Sequence, residues 1–130
     1  MKRTTRAWVR KAESDHRMAG RAAGPADPEY DQVCFHCQQL VEKYLKAVLE
    51  ELGEVVPRTH DLDALLDQLL PHYPELRAFR RGARFLTAFA VAVRYPGFNA
   101  SRRRAEAALR WAGRIRGKSR ELLGIRPGSP

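Results

Sequence analysis

Apolar residues in this chain return every three or four positions over long stretches, and nowhere do they alternate with polar ones over the length of a strand. The longest stretch lies between Asp27 and Gly53. There Val33, Cys37, Leu40, Val41, Tyr44, Leu45, Val48, Leu49 and Leu52 fall along one side of a helix of about seven turns. Asp27 is placed to accept from the free N–H groups of the first turn, and Pro28 sits where its missing N–H costs nothing. Gly53 supplies the left-handed residue that stops the helix. The opposite side carries Gln38, Glu42 and Lys46 at four-residue steps, flanked by Gln39 and Lys43. A helix this long and apolar has to be covered by other helices, so the rest of the chain reads as its packing partners.

Those partners follow in order. Thr4 or Thr5 caps a first helix to about Arg21, with Trp8, Val9, Ala12, Met18, Ala19 and Ala22 giving it a partly apolar face. After Gly53, EVVPRTHD is a connection, because Pro57 forces its predecessor out of helical geometry. Thr59 or Asp61 then caps a short helix that turns Leu62, Leu65, Leu66 and Leu69 inward. Pro71 and Pro74 break the chain before a helix from Glu75 to Val93, whose other face carries Arg77, Arg80, Arg81 and Arg84. RYPGFNAS is a loop in which Asn99 or Ser101 caps the last helix, Arg102 to about Leu123. Gly124 ends that helix, and 124–130 is a frayed basic tail. The expectation is one domain over 1–130 with its core at about 5–123. Its class is all-α: an up-and-down antiparallel bundle of four main helices plus one short helix.

Charge changes the picture. The net +9 is unevenly spread: residues 1–21 carry +5, residues 22–75 carry −8 and residues 76–130 carry +12. Basic outer helices can neutralise the acidic middle, yet an excess remains, and it favours an anionic partner such as RNA, a nucleotide or an acidic protein. No run is long and apolar enough for a membrane span, and the basic N-terminus has no apolar segment of a secretory kind. The protein is expected in the cytoplasm, away from membranes.

Few side chains offer chemistry. Cys34 and Cys37 form CFHC, but two turns inside an amphipathic helix they read as structural thiols. A redox pair wants its first sulfur at a helix start, and zinc wants a second ligand pair. No metal or cofactor is called for. In RTHDL, His60 or Asp61 caps the short helix, or Arg58 and His60 hold phosphate in a shared cleft. Arg94 and Tyr95 stand at a helix end, where an arginine is favourable through the dipole alone. Lys43 and Lys46 would lie at the margin of a cleft formed by Arg58, His60, Arg94 and Tyr95. Arg102, Arg103, Arg104, Arg110 and Arg114 make the last helix a basic surface, either solvated or tracking phosphates. Trp111 is the one aromatic there for stacking.

Three stretches in this order, Gln38-x3-Glu42-Lys43-x2-Lys46, His60-Asp61-Leu62-x2-Leu65-Leu66 and Arg94-Tyr95-Pro96, resemble the HEPN domain family of helical prokaryotic proteins over roughly Trp8 to Leu123. The resemblance implies a homodimer, a cleft for nucleotide or RNA near Arg94 and Tyr95, and a minimal nucleotidyltransferase as partner in a toxin–antitoxin-like or nucleotide-handling system. Ribonuclease members of that family carry an Arg and a His four to six residues apart in the later half of the domain. This chain has no histidine after His72; the one formal match is Arg10 with His16, in the first helix. The reading is therefore a binding subunit with no catalytic residue assigned, with a ribonuclease toxin as the alternative and a ligand-free helical interaction module as the second.

Overall fold

The computed structural model describes residues 1–129. Its helices are α1 (Arg3–Ala22), α2 (Tyr30–Glu51), α3 (Leu62–Leu69), α4 (Arg80–Thr87) and α5 (Arg102–Leu122). Shorter 3-10 turns occupy Pro74–Phe79, Ala88–Ala90 and Ala92–Arg94. Helix α2 touches all four of the others, most extensively α1 and α5. Its Val33, Cys37, Leu40, Val41, Tyr44, Leu45, Val48 and Leu49 are buried, as their spacing requires. From α3, Leu62, Leu65, Leu66 and Leu69 close one side of the core, and each such side chain contributes about 2 kcal/mol through removal from water. The all-α bundle read from the sequence is what forms.

Helix starts differ from expectation in instructive ways. Helix α2 begins at Tyr30, not after Asp27: Glu29 precedes it in a non-helical conformation with no side-chain cap. The Glu29 N–H is already committed to the Ala22 carbonyl, which holds the Asp27–Pro28 stretch in the turn. Helix α1 starts at Arg3, so neither Thr4 nor Thr5 caps it. Thr5 is instead fully buried and donates its hydroxyl to Glu51 at 2.9 Å, tying the start of α1 to the end of α2. Caps expected later are found: Asp61 accepts from the Asp63 N–H and Ser101 from the Arg104 N–H.

The helix expected over Glu75–Val93 is broken. A 3-10 turn starting at Pro74 precedes it, and only Arg80–Thr87 is α-helical. The Thr87 hydroxyl donates back to the Ala83 carbonyl at 2.8 Å and accepts from the Leu62 N–H at 3.1 Å, so it anchors α3 at the point where α4 ends. Val91 then departs from helical angles at φ −118°. The supposed arginine face of this helix is partly spent on α3. Arg80 reaches Asp63 and Asp67, and Arg84 reaches Asp63 at 3.1 Å. Gly82 is required by close approach, since a Cβ there would lie 2.3 Å from the Trp111 ring of α5. The tail is not frayed throughout: Ile125 packs against the core, and Arg120 holds the Ser129 carbonyl. Pro130 lies outside the described residues.

Candidate functional site

The face of α2 read from its spacing as the polar side opposite the core is itself buried. Gln38 is 0% exposed, Glu42 4% and Lys46 6%. Buried polar groups need partners, and here the partners organise the RTHDL loop. Glu42 accepts from Gln38 Nε2 at 3.1 Å, from Lys46 Nζ at 3.0 Å and from His60 Nδ1 at 2.8 Å. Gln38 Nε2 also donates to the His60 carbonyl at 3.1 Å, so the loop is gripped by both its main chain and its side chain. Gln39 completes the row by donating to Gln38 Oε1, and Lys46 lies 5.5 Å from the centre of the Trp8 ring. Burial alone would push the Glu42 carboxyl up; the bonds from His60, Gln38 and Lys46 outweigh it and hold the group below the usual carboxylate range. With Nδ1 committed to an ionised carboxylate, His60 has Nε2 left for a ligand, and its side chain is 65% exposed.

The residues singled out from the sequence are thus only partly brought together. His60 and Lys46 meet on Glu42. Arg58 is exposed two residues before His60. Lys43 turns instead to Asp15 of α1, at 2.5 Å, beside His36. Arg94 and Tyr95 are exposed at the end of the Ala92–Arg94 turn, which touches α2. Among the described residues, no side-chain bond joins them to Arg58 or His60. On α5, Arg102 pairs with Glu106, while Arg114 stacks over Trp111 and Phe79. Arg103, Arg104 and Arg110 are exposed and, among the described residues, meet no carboxylate.

A second polar cluster escaped the sequence reading. Glu13 of α1 accepts two bonds from Arg116, both 2.8 Å, plus one from the Tyr44 hydroxyl, and Arg120 lies at 3.6 Å. Burial works against this carboxylate, but Arg116, Tyr44 and Arg120 bring it down to about 2, while burial and Glu13 push the Tyr44 phenol up to about 12. The buried Asp15, two positions after Glu13, turns to another side of α1 and meets His36 and Lys43. The Glu13 cluster draws its members from α1, α2 and α5, so no pattern within one helix signals it. His16 sits in the same neighbourhood, its imidazole held below its ordinary value by burial and by Arg116. Cys34 and Cys37 are free and buried, and burial pushes their thiols up to about 11 and about 12. Neither is a ready thiolate. Among the described residues no cluster of three His, Cys, Asp or Glu is placed to hold a metal, and no helix is long and apolar enough to cross a membrane.

Solved structures share this fold. The chain resembles TT1696 from Thermus thermophilus, at 28% identity over 92% of this chain and 98% of that one, with a TM-score of 0.80. It also resembles ST0689, an archaeal HEPN homologue, at 26% identity over 97% of this chain and all of that one, with a TM-score of 0.72. No curated protein matches. The family model for the HEPN domain spans residues 5–122, from the buried Thr5 of α1 to the last turn of α5, and the chain belongs to the HEPN domain family.

Proposed function

We propose that this HEPN domain is a nucleotide- or RNA-binding subunit that acts with a nucleotidyltransferase partner in a toxin–antitoxin-like or nucleotide-handling system. The observation that carries the reading is the unbalanced basic surface. The acidic residues of the middle helices are largely engaged: Asp63 by Arg80 and Arg84, Asp67 by Arg80, Glu75 by Lys118, and Glu42 internally. Arg103, Arg104 and Arg110 stay exposed, and so do Arg58 and Arg94 at the loops. A ligand-free interaction module would need this charge spent on its own carboxylates. Phosphate suits it better, because an arginine fork can hold two phosphate oxygens at once. The partner and a homodimer are carried by the family, in which both are common.

The test is the affinity of a nucleoside triphosphate and of a short RNA for wild type, Arg58→Ala, Arg94→Ala and Arg103→Glu/Arg104→Glu at two salt concentrations. Weaker binding with a shallower salt slope in the variants supports the reading. Equal affinities and slopes in all four proteins would overturn it, and loss confined to the α5 variant would remove the loop cleft. Light scattering that gives a monomer mass at micromolar concentration would remove the homodimer. A ribonuclease reading draws support from one feature, the orientation of the exposed His60 imidazole by buried Glu42, an arrangement suited to proton transfer. RNA cleavage that survives purification and vanishes in His60→Ala would favour that reading over a binding role.

A further inference from the structure

At the far end of α5 lies a cleft of about 890 Å³ between the last turns of the helix and the returning tail, lined by Arg116, Arg120, Glu121, Arg126 and the backbone of Gly124 and Gly128. This volume falls among those of small-molecule sites. Its floor is a buried cation: the Arg120 side chain is 8% exposed, donating from Nη1 to the Tyr44 hydroxyl at 3.1 Å and from Nη2 to the Ser129 carbonyl at 2.5 Å. Both acceptors are neutral. Glu13, the nearest carboxylate, is taken up by the fork of Arg116 and stands 3.6 Å from Arg120. Glu121 lies within 3.7 Å of Lys118. Among the described residues, three guanidinium groups thus face the cleft and its wall with two carboxylates to answer them.

We propose that this cleft is a binding site for a compact polyanion, which takes the place of the Ser129 carbonyl on Arg120 and is gripped from the other side by Arg126. The bond from Arg120 to the Ser129 carbonyl is charge-assisted through its donor alone; an ionised oxygen in its place adds direct attraction between opposite charges, so exchanging the tail for the ligand is favourable at Arg120. The negative end of α5 opposes an anion here by about half a charge. That term is blunted, because the Gly124 and Ile125 N–H groups already cap the Glu121 and Arg120 carbonyls. The site lies on the α1–α5 side of the molecule and uses none of Arg58, His60, Arg94 or Tyr95, so it stands apart from the loop cleft.

Isothermal titration with pyrophosphate, and separately with citrate, at ionic strength fixed by sodium chloride tests the proposal. Arg126 is exposed, so Arg126→Glu keeps the fold while reversing one wall of the cleft. Wild type is expected to bind pyrophosphate with shifts of the Gly124, Ile125 and Gly128 amide signals, and Arg126→Glu to weaken binding about tenfold or more. Arg6→Ala, exposed on α1 and outside both clefts, should bind as wild type does. Citrate matching pyrophosphate identifies a general polyanion site, and citrate failing to bind identifies a phosphate site; either supports the proposal. No heat beyond the chloride control, equal affinity in Arg126→Glu, or loss of binding in Arg6→Ala would overturn it.

Discussion

Replacing Glu13 with Gln removes one charge from between the buried Arg120 and the half-buried Arg116 while keeping its shape. In the wild type the carboxyl titrates at about 2, against an ordinary value of 4.5. A depression of that size corresponds to about 3 kcal/mol at full value and to about 2 kcal/mol once partial solvent screening is allowed for. The sign is that of a depressed acid: the stabilisation is complete above the unfolded value and is lost as pH falls through the folded one, so the window runs from about pH 4.5 down to about pH 2. Glu13→Gln should therefore cost about 2 kcal/mol or more at pH 7, because Arg116 and Arg120 are left facing a neutral amide. At pH 3 much of the difference from wild type should be gone. Urea unfolding of both proteins at pH 7 and pH 3 measures this, and titration of the other carboxylates cancels in the comparison. A wild-type-to-variant gap that stays the same at the two pH values would refute the argument that Glu13 acts through its charge.

Gly82→Ala drives a Cβ into the Trp111 ring and should cost about 1–3 kcal/mol by urea unfolding, with recovery when Trp111→Leu is added. Cys34 and Cys37 should be inert to a thiol reagent at pH 8 in the native protein and react fully in denaturant; fast native reaction would mean the helix opens easily. Glu42→Gln should free the RTHDL loop, seen as faster hydrogen exchange around His60, together with a stability loss of about 2–3 kcal/mol from the unpaired Lys46. Unchanged exchange at His60 would mean that the Gln38 bond to its carbonyl suffices to hold the loop.

What the sequence made legible was periodicity. The apolar stripe of α2, the leucines of α3 and the Ser101 and Asp61 caps are local patterns, and they formed as read. The Gln38–Glu42–Lys46 row misled because a four-residue polar step looks the same whether water or a loop covers it; only the fold brings His60 over it. Pro74 was visible as a breaker, whereas the early end of α4 depends on Thr87 meeting the Leu62 N–H twenty-five positions away in sequence. Glu13, Tyr44, Arg116 and Arg120 converge from three helices, and no spacing within one helix reveals a site of that kind. Of the expected cleft, the contact between Lys46 and His60 through Glu42 is real, and Lys43 belongs to Asp15 instead.

The central claim is that the unpaired basic surface meets phosphate. It is tested most directly by the affinity of a short single-stranded RNA for wild type and for Arg103→Glu/Arg104→Glu/Arg110→Glu across a range of salt. Wild type should show log K falling with log salt at a slope near −0.7 for each phosphate engaged, and the triple variant should bind more weakly with a slope shallower by about 2. Identical affinity and slope in the two proteins, or no RNA binding by wild type at low salt, would contradict the account.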